Sequence, residues 1–301
     1  MWFKNLRAYR LAAPFDLSPE HLDRQLVAKV FTPCAKSSAQ SQGWVAPLGE
    51  GYPLAHGAAR RLLLCMKREE KVLPATVVRE LLEMRIAVIE TEQARKVYRR
   101  ERLELRDEIV RDCLPRAFTR SALCHACIDQ PGNWLFVDAA SANRAEELLN
   151  LLRESLGSLP VRLPETQQAP TTVMTGWLSR RTLPQGLALT GECELRAPGE
   201  GGAIVRCKGL DLLDGEIETH LDAGMQVTRL ALAFEDKIGF VLSEDLTVKR
   251  LRFADTLREE SDGLEADPAA RLDADFVLLS DALASLQQAL MGWFGGELLR
   301  E

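Results

Sequence analysis

PATVVRELLEMRIAVIETEQARKVYRRERLELRDEIVRDCLPRAFTR, residues Pro74–Arg120, decides how the rest of the chain is read. Pro74 and Pro115 punctuate its two ends, since proline suits the first turn of a helix and breaks its interior. Between them apolar residues recur every three or four positions: Val77, Leu81, Leu82, Val88 and Ile89, then Leu105, Ile109, Val110 and Cys113. The middle, Glu90–Glu104, has only Ala94, Val97, Tyr98 and Leu103 as apolar anchors. One helix over the whole stretch would run roughly 60 Å at 1.5 Å per residue. The spacing therefore predicts two helices, or one broken near Arg99-Arg100, projecting from the body.

Charge sets this element apart. Residues 60–120 hold 16 Lys+Arg against 11 Asp+Glu, whereas residues 209–301 hold 8 against 20. The formal net charge of −6 thus conceals a basic middle and an acidic last third. Arg95, Lys96, Arg99, Arg100 and Arg102 lie within eight residues, and Arg116 and Arg120 flank Phe118. Such a stripe can bind phosphates by Coulomb attraction and counterion release. The plainer reading is a solvated face laced by pairs such as Glu92–Lys96. Phe118 is likewise either a packing anchor or an exposed aromatic that stacks on a base or meets a second copy.

Outward from this element, the chain reads as two α+β regions. Trp2–Leu11 is expected as a strand. Ser18-Pro19-Glu20 opens a helix to about Val30 that buries Leu22, Leu26 and Val30. A polar loop from Ala35 to Gln42 follows, then a buried strand at Arg61–Lys67 with Arg68–Lys71 as its solvated end. Past the helices, Leu123–Asp129 and Trp134–Ala139 form a hairpin across Gln130-Pro131-Gly132-Asn133. Ser141 caps a helix over Ala142–Leu156, which Gly157 ends.

Leu163–Pro170 reads as a linker, and Thr171–Arg181 as a short helix. Strands are expected at Gly186–Arg196, Gly202–Lys208, Gln226–Phe234, Lys237–Leu242 and Thr247–Phe253. A final helix opens at Pro268 with Phe276, Leu279, Leu283, Leu286 and Leu290 on one stripe. The fold class is therefore α+β with mostly antiparallel sheets. Three regions are expected: a discontinuous centre (1–73 and 121–165), a helical tip (74–120) and a base (166–301).

Composition excludes several classes. Apolar content of 46% and charged content of 27% are those of a globular protein. No apolar run reaches the roughly 18 residues of a membrane span, and the start lacks a signal-peptide core, so the cytoplasm is the expected compartment. Seven Cys, an odd count, argues for reduced thiols. Cys124-His125-Ala126-Cys127 is the one C-x-x-C, half a zinc site without a second pair, lying inside a strand pattern where no redox pair belongs. The Gly-rich stretches Gly49-Glu50-Gly51 and Gly199–Gly202 lack the P-loop lysine and read as turns. Asp273/Asp275 and Glu216/Glu218 are spaced i,i+2, which on a helix turns the carboxylates to different faces and disfavours a shared metal.

Several blocks, in order, carry a resemblance: WFKNL (2–6), FTPC (31–34), GWVAPLG (43–49), KREEKVLP (67–74), EQARK (92–96), LPRAF (114–118), SLGSLPV (155–161) and Arg271-Leu272-Asp273-Ala274-Asp275-Phe276. Over essentially its whole length the chain resembles the recombination-associated RdgC family of proteobacteria, departing conservatively at Leu272, where the family pattern has Phe. The resemblance implies a cytoplasmic, nucleoid-associated DNA-binding protein without enzymatic activity. It implies a ring-shaped homodimer that encircles duplex DNA, also binds single strands, and limits access of the RecA recombinase. No metal or nucleotide cofactor is implied. The DNA-binding set then expected is Arg95, Lys96, Arg99, Arg100, Arg102, Arg116, Arg120 and Lys208, with Phe118 as a dimer contact. Two other classes compete: a protein-binding adaptor without DNA affinity, and a thiol–disulfide enzyme using Cys124 and Cys127.

Overall fold

In a computed structural model, residues 2–213, 215–257 and 268–298 are described. Strand β4 (Arg61–Val72) pairs with β5 (Phe118–Asp129) through twelve consecutive antiparallel positions, from Arg61↔Asp129 to Val72↔Phe118. This ribbon is the spine of a seven-stranded sheet. Its path is β2 (Gln40–Val45), β4, β5, β6 (Trp134–Val137), β1 (Arg7–Leu11) and β7 (Val161–Arg162), with β3 (Ala55–Ala58) also on β4. Every pairing within it is antiparallel.

The run Leu62–Met66 is buried throughout because both faces of the sheet are covered. Leu62, Leu64 and Met66 join Ile128, Leu135 and Val137 beneath α1 (Pro19–Leu26) and α4 (Ala142–Leu156). Leu63 joins Cys127, Trp134 and Phe136 on the opposite side. Alternation across a pleat delivers neighbouring residues to different cores, so a strand covered twice shows no polar face.

Near Leu123 the ribbon leaves this cover: Phe118–Leu123 are exposed along β5. At about 3.4 Å per residue these six residues carry the connection roughly 20 Å outward. There α2 (Ala75–Gln93) and α3 (Arg99–Cys113) pack on one another. The break falls at 94–98, with Ala94 left-handed (φ 46°), rather than at Arg99-Arg100, which instead begin α3. The buried stripe of α2 is Val78, Leu82 and Ile86, joined by Val97 and by Ile89, Leu105 and Ile109. Of the periodic apolar positions, Leu82 and Ile89 join this cluster, while Val77, Leu81 and Val88 are exposed together with Met84. Periodicity identifies the helix but cannot choose between its two apolar stripes.

A second, five-stranded antiparallel sheet has the order β12 (Val248–Phe253), β11 (Ile238–Ser243), β10 (Gln226–Phe234), β8 (Leu187–Arg196) and β9 (Ile204–Lys208). Helices α5 (Pro170–Ser179), α6 (Gly215–Asp222) and the 26-residue α7 (Pro268–Trp293) accompany it. Phe276, Leu279, Leu283, Leu286 and Leu290 of α7 are fully buried. They share one cluster with residues of both sheets, so the last helix belongs to both cores. Arg61 reinforces the junction, donating to Asp129 at 2.9 Å and to Asp281 and Ser280 of α7.

Several expectations are corrected. Trp2–Leu11 is not one strand: β1 begins at Arg7, while Leu6 bridges Val248 of the other sheet and Leu251 N–H donates to Lys4. The loop expected at 35–42 gives up Gln40–Gln42 to β2. Val30 is exposed, because α1 ends at Leu26 in a tighter 3-10 turn. Glu69 is buried, not solvated, accepting the Cys34 N–H at 2.8 Å. The expected linker is tied to the chain's far end, with Gln167 N–H on Gly296, Gln168 N–H on Phe294 and Leu298 N–H on Glu165.

Candidate nucleic-acid interface

The connection 94–98 is held at three points. Val97 is buried between the helices, and its N–H donates to the Glu90 carboxylate at 3.0 Å. Arg95 forks onto Glu101 at 2.7 and 2.6 Å while its Nε donates to Gln93. The hydrogen bond from Arg95 holds the Glu101 carboxyl below its usual range, and Glu101 in turn raises Arg95. Arg100 pairs with Glu104 at 3.2 Å, and Arg102 with Glu83. Arg120 reaches Glu70, whose carboxyl this hydrogen bond lowers.

Lys96, Arg99 and Arg116 are exposed, and among the described residues no ion pair engages them. Exposed single pairs contribute little, so Arg100, Arg102 and Arg120 too can exchange a carboxylate for a phosphate, whereas the forked Arg95 is held more firmly. Phe118 stands at the ribbon's outer end, 86% exposed, opposite a half-exposed Val72. It is no packing anchor.

Lys208 lies elsewhere, on the edge strand β9 of the five-stranded sheet. Around it the outer face of that sheet gathers cations from three strands, β9, β10 and β12. A groove of about 490 Å³ is lined by Asn5, Arg206, Lys208, Arg229, Lys249 and Arg250 together with Glu192, which pairs with Arg250 at 2.6 Å. A neighbouring groove adds Arg252. Beneath them sits Glu194, 4% exposed, accepting from Arg206 at 2.8 Å, Arg229 at 3.4 Å and Thr228 at 3.1 Å. Burial alone would raise its pKa, but these donors hold it lowered, so it stays charged and fixes the arginines.

Summed charge hides this second surface, because acidic residues dominate the last third of the sequence. The usable signal is period two: Arg206/Lys208 and Arg250/Arg252 alternate with Cys207 and Leu251, cation out and apolar residue in.

The thiols carry no visible chemistry. Cys124 and Cys127 are both fully buried, but three residues apart on a strand they face opposite sides, one in each core. They can neither bridge to each other nor share a metal. Burial pushes the Cys124 thiol up to about 12 and raises Cys127 further, and it lowers His125 to about 4. Cys193 and Cys207 are directly opposed across β8 and β9, a proximity their sequence separation conceals. Among the described residues no three His, Cys, Asp or Glu converge as a metal site. Replacing Cys124 and Cys127 together with Ala or Ser should lower stability without removing any DNA affinity that the parent shows. In the native parent both thiols should alkylate far more slowly than in urea. Rapid native alkylation, or abolished binding in a folded variant, would reinstate a role for the motif.

No helix among the described residues is long and apolar enough to cross a membrane. A family model described as "Putative exonuclease, RdgC" matches residues 1–297. The recombination-associated protein RdgC of Aeromonas hydrophila subsp. hydrophila is 46% identical over 299 residues, covering 99% of each chain. That of Yersinia pestis (strain Pestoides F) is 44% identical over 300 residues, and that of Proteus mirabilis 41% over 299, again with 99% of each chain covered. With a match of this extent, on a fold whose α+β class agrees with the expectation, the chain belongs to the RdgC family.

Proposed function

We propose that this protein binds DNA without sequence preference, closing as a homodimeric ring around duplex and limiting access of the RecA recombinase, with no catalytic step of its own. The observation that carries this reading is charge placement. A protein of net charge −6 presents two cationic surfaces, one on the tip helices and one on the five-stranded sheet. The recombination-associated relatives supply the biological setting. Arg95, Lys96, Arg99, Arg100, Arg102, Arg116 and Arg120 form the first phosphate surface, and Lys208 belongs to the second. Phosphate contacts position a protein on DNA without reading sequence. The centre, tip and base regions are the parts of such a ring, and the nucleoid within the cytoplasm is its place of action.

Measuring affinity against salt on circular and linear duplex of equal length tests the reading. Strong salt dependence and slower release from closed circles are expected. A salt-independent or absent affinity would leave the adaptor reading instead.

The dimer contact is assigned to Phe118. Beside it Val72 is exposed, and on α2 Val77, Leu81, Met84 and Val88 form an uncovered stripe at i, i+4, i+7 and i+11. Apolar anchors of this kind stabilise an interface where exposed charge pairs contribute little. Phe118→Ser should weaken ring closure, seen by sedimentation as a shift toward monomer. It should also speed release from circular duplex more than it slows initial binding. If mass and retention both match the parent, Phe118 is not the contact.

A further inference from the structure

The loop between α2 and α3 turns outward an aromatic ring that the fold does not use. Tyr98 is 76% exposed, and among the described residues its hydroxyl makes no hydrogen bond. Its orientation follows from the two anchors that precede it. Val97 is buried and its N–H is held by Glu90, while Arg95 is clamped to Glu101. Tyr98 has extended backbone (φ −88°, ψ 167°), and successive residues of an extended segment point to opposite sides. With Val97 inward, Lys96 and Tyr98 face solvent. Arg99 and Arg100 follow, both exposed.

Phe118 and Tyr98 thus differ in company. Phe118 has an exposed apolar neighbour, Val72, opposite it on the ribbon, as a protein contact requires. Tyr98 has cations, Lys96, Arg99 and Arg100, and a π-face among cations suits a strand whose phosphates and unpaired bases alternate. In a duplex the bases already stack on one another and offer such a ring no face.

We propose that Tyr98 stacks on an unpaired base of single-stranded DNA while Lys96 and Arg99 hold the flanking phosphates. The loop then discriminates strandedness within an interface that is otherwise indifferent to the form of DNA. The inference rests on the DNA-binding reading above and names the contact specific to single strands.

The experiment uses the full chain, the variants Tyr98→Ala and Tyr98→Phe, and two probes of equal length. One is a single strand carrying 2-aminopurine and the other is the corresponding duplex. Tyr98→Ala should weaken single-strand binding roughly tenfold, within the range for removing one base–aromatic stack. Duplex affinity should stay within about twofold and the salt slopes should not change, because the phosphate contacts remain. The 2-aminopurine signal change on binding should vanish in Tyr98→Ala and persist in Tyr98→Phe.

Equal losses on both probes, or no loss on the single strand, would overturn the stacking role. A fall in sedimentation mass would overturn it too, by making Tyr98 a contact with the second copy. If Lys96→Gln weakens binding while Tyr98→Ala does not, stacking is wrong and the DNA-binding reading stands. A parent that binds neither probe overturns both.

Discussion

Replacing Lys96, Arg99 and Arg116 together with Gln should lower duplex affinity by about two to three orders of magnitude near 0.1 M salt. It should also flatten the log–log salt dependence by about 2.7, or 0.9 for each phosphate no longer neutralised. The loss should be the same on unrelated sequences, since none of these side chains is assigned to base edges. These three cations are the right choice because they have no carboxylate partner among the described residues, so their removal strands no buried charge. Arg95, clamped to Glu101 and Gln93, should contribute less than Lys96 or Arg99, because its move to a phosphate must first break that fork. An unchanged slope in the triple variant would move the duplex surface to the five-stranded sheet. The same replacement at Arg206, Lys208 and Arg250 would then carry the loss.

Phe276→Ala should remove about 3–5 kcal/mol, the usual cost of truncating a fully buried Phe. Against a total of roughly 5–15 kcal/mol this is a large fraction. Phe276 is fully buried on α7, where it meets the ring of His56 edge-on from β3 of the seven-stranded sheet. Its cluster also holds Leu195, Leu230 and Phe240 of the five-stranded sheet. Damage at one position of a shared helix should therefore reach both sheets. Urea unfolding followed by far-ultraviolet circular dichroism and by tryptophan fluorescence should give coincident curves, shifted together. Trp44 reports the first sheet, and Trp177 and Trp293 lie beside Phe294 and Phe234 of the second core. Two separated transitions would show that α7 serves only one of them.

Much of the fold is readable from local chemistry. The Ser18 and Ser141 caps accept the N–H groups of His21 and Arg144, and Gly157 ends α4 in the left-handed region, because these features are settled within four residues. The stripe from Phe276 to Leu290 is legible because one periodicity runs uninterrupted. Sequence reading errs where distant parts of the chain decide. Two apolar stripes on α2 are equally periodic, and only the course of α3 buries Val78, Leu82 and Ile86. Glu69 reads as a solvent-facing charge until the loop at Cys34 folds over it. The candidate site divides in the same way. The tip cations lie together in sequence, where their density exposes them. The sheet cations are drawn from strands some forty residues apart, and Lys208 alone among them belongs to the expected set.

The amino-terminal stitch governs the order of assembly. Residues 4 and 6 hydrogen-bond to residues 251 and 248, and Arg7 pairs with Asp245. During synthesis at about 5–20 residues per second, the first segment waits roughly 12–50 s for its partners to emerge. Until then β1 can pair with β6, but Phe3 and Leu6 have no finished core to enter. A bulky fusion placed ahead of Trp2 would burden a late closure rather than the first, and its penalty would appear as slow maturation.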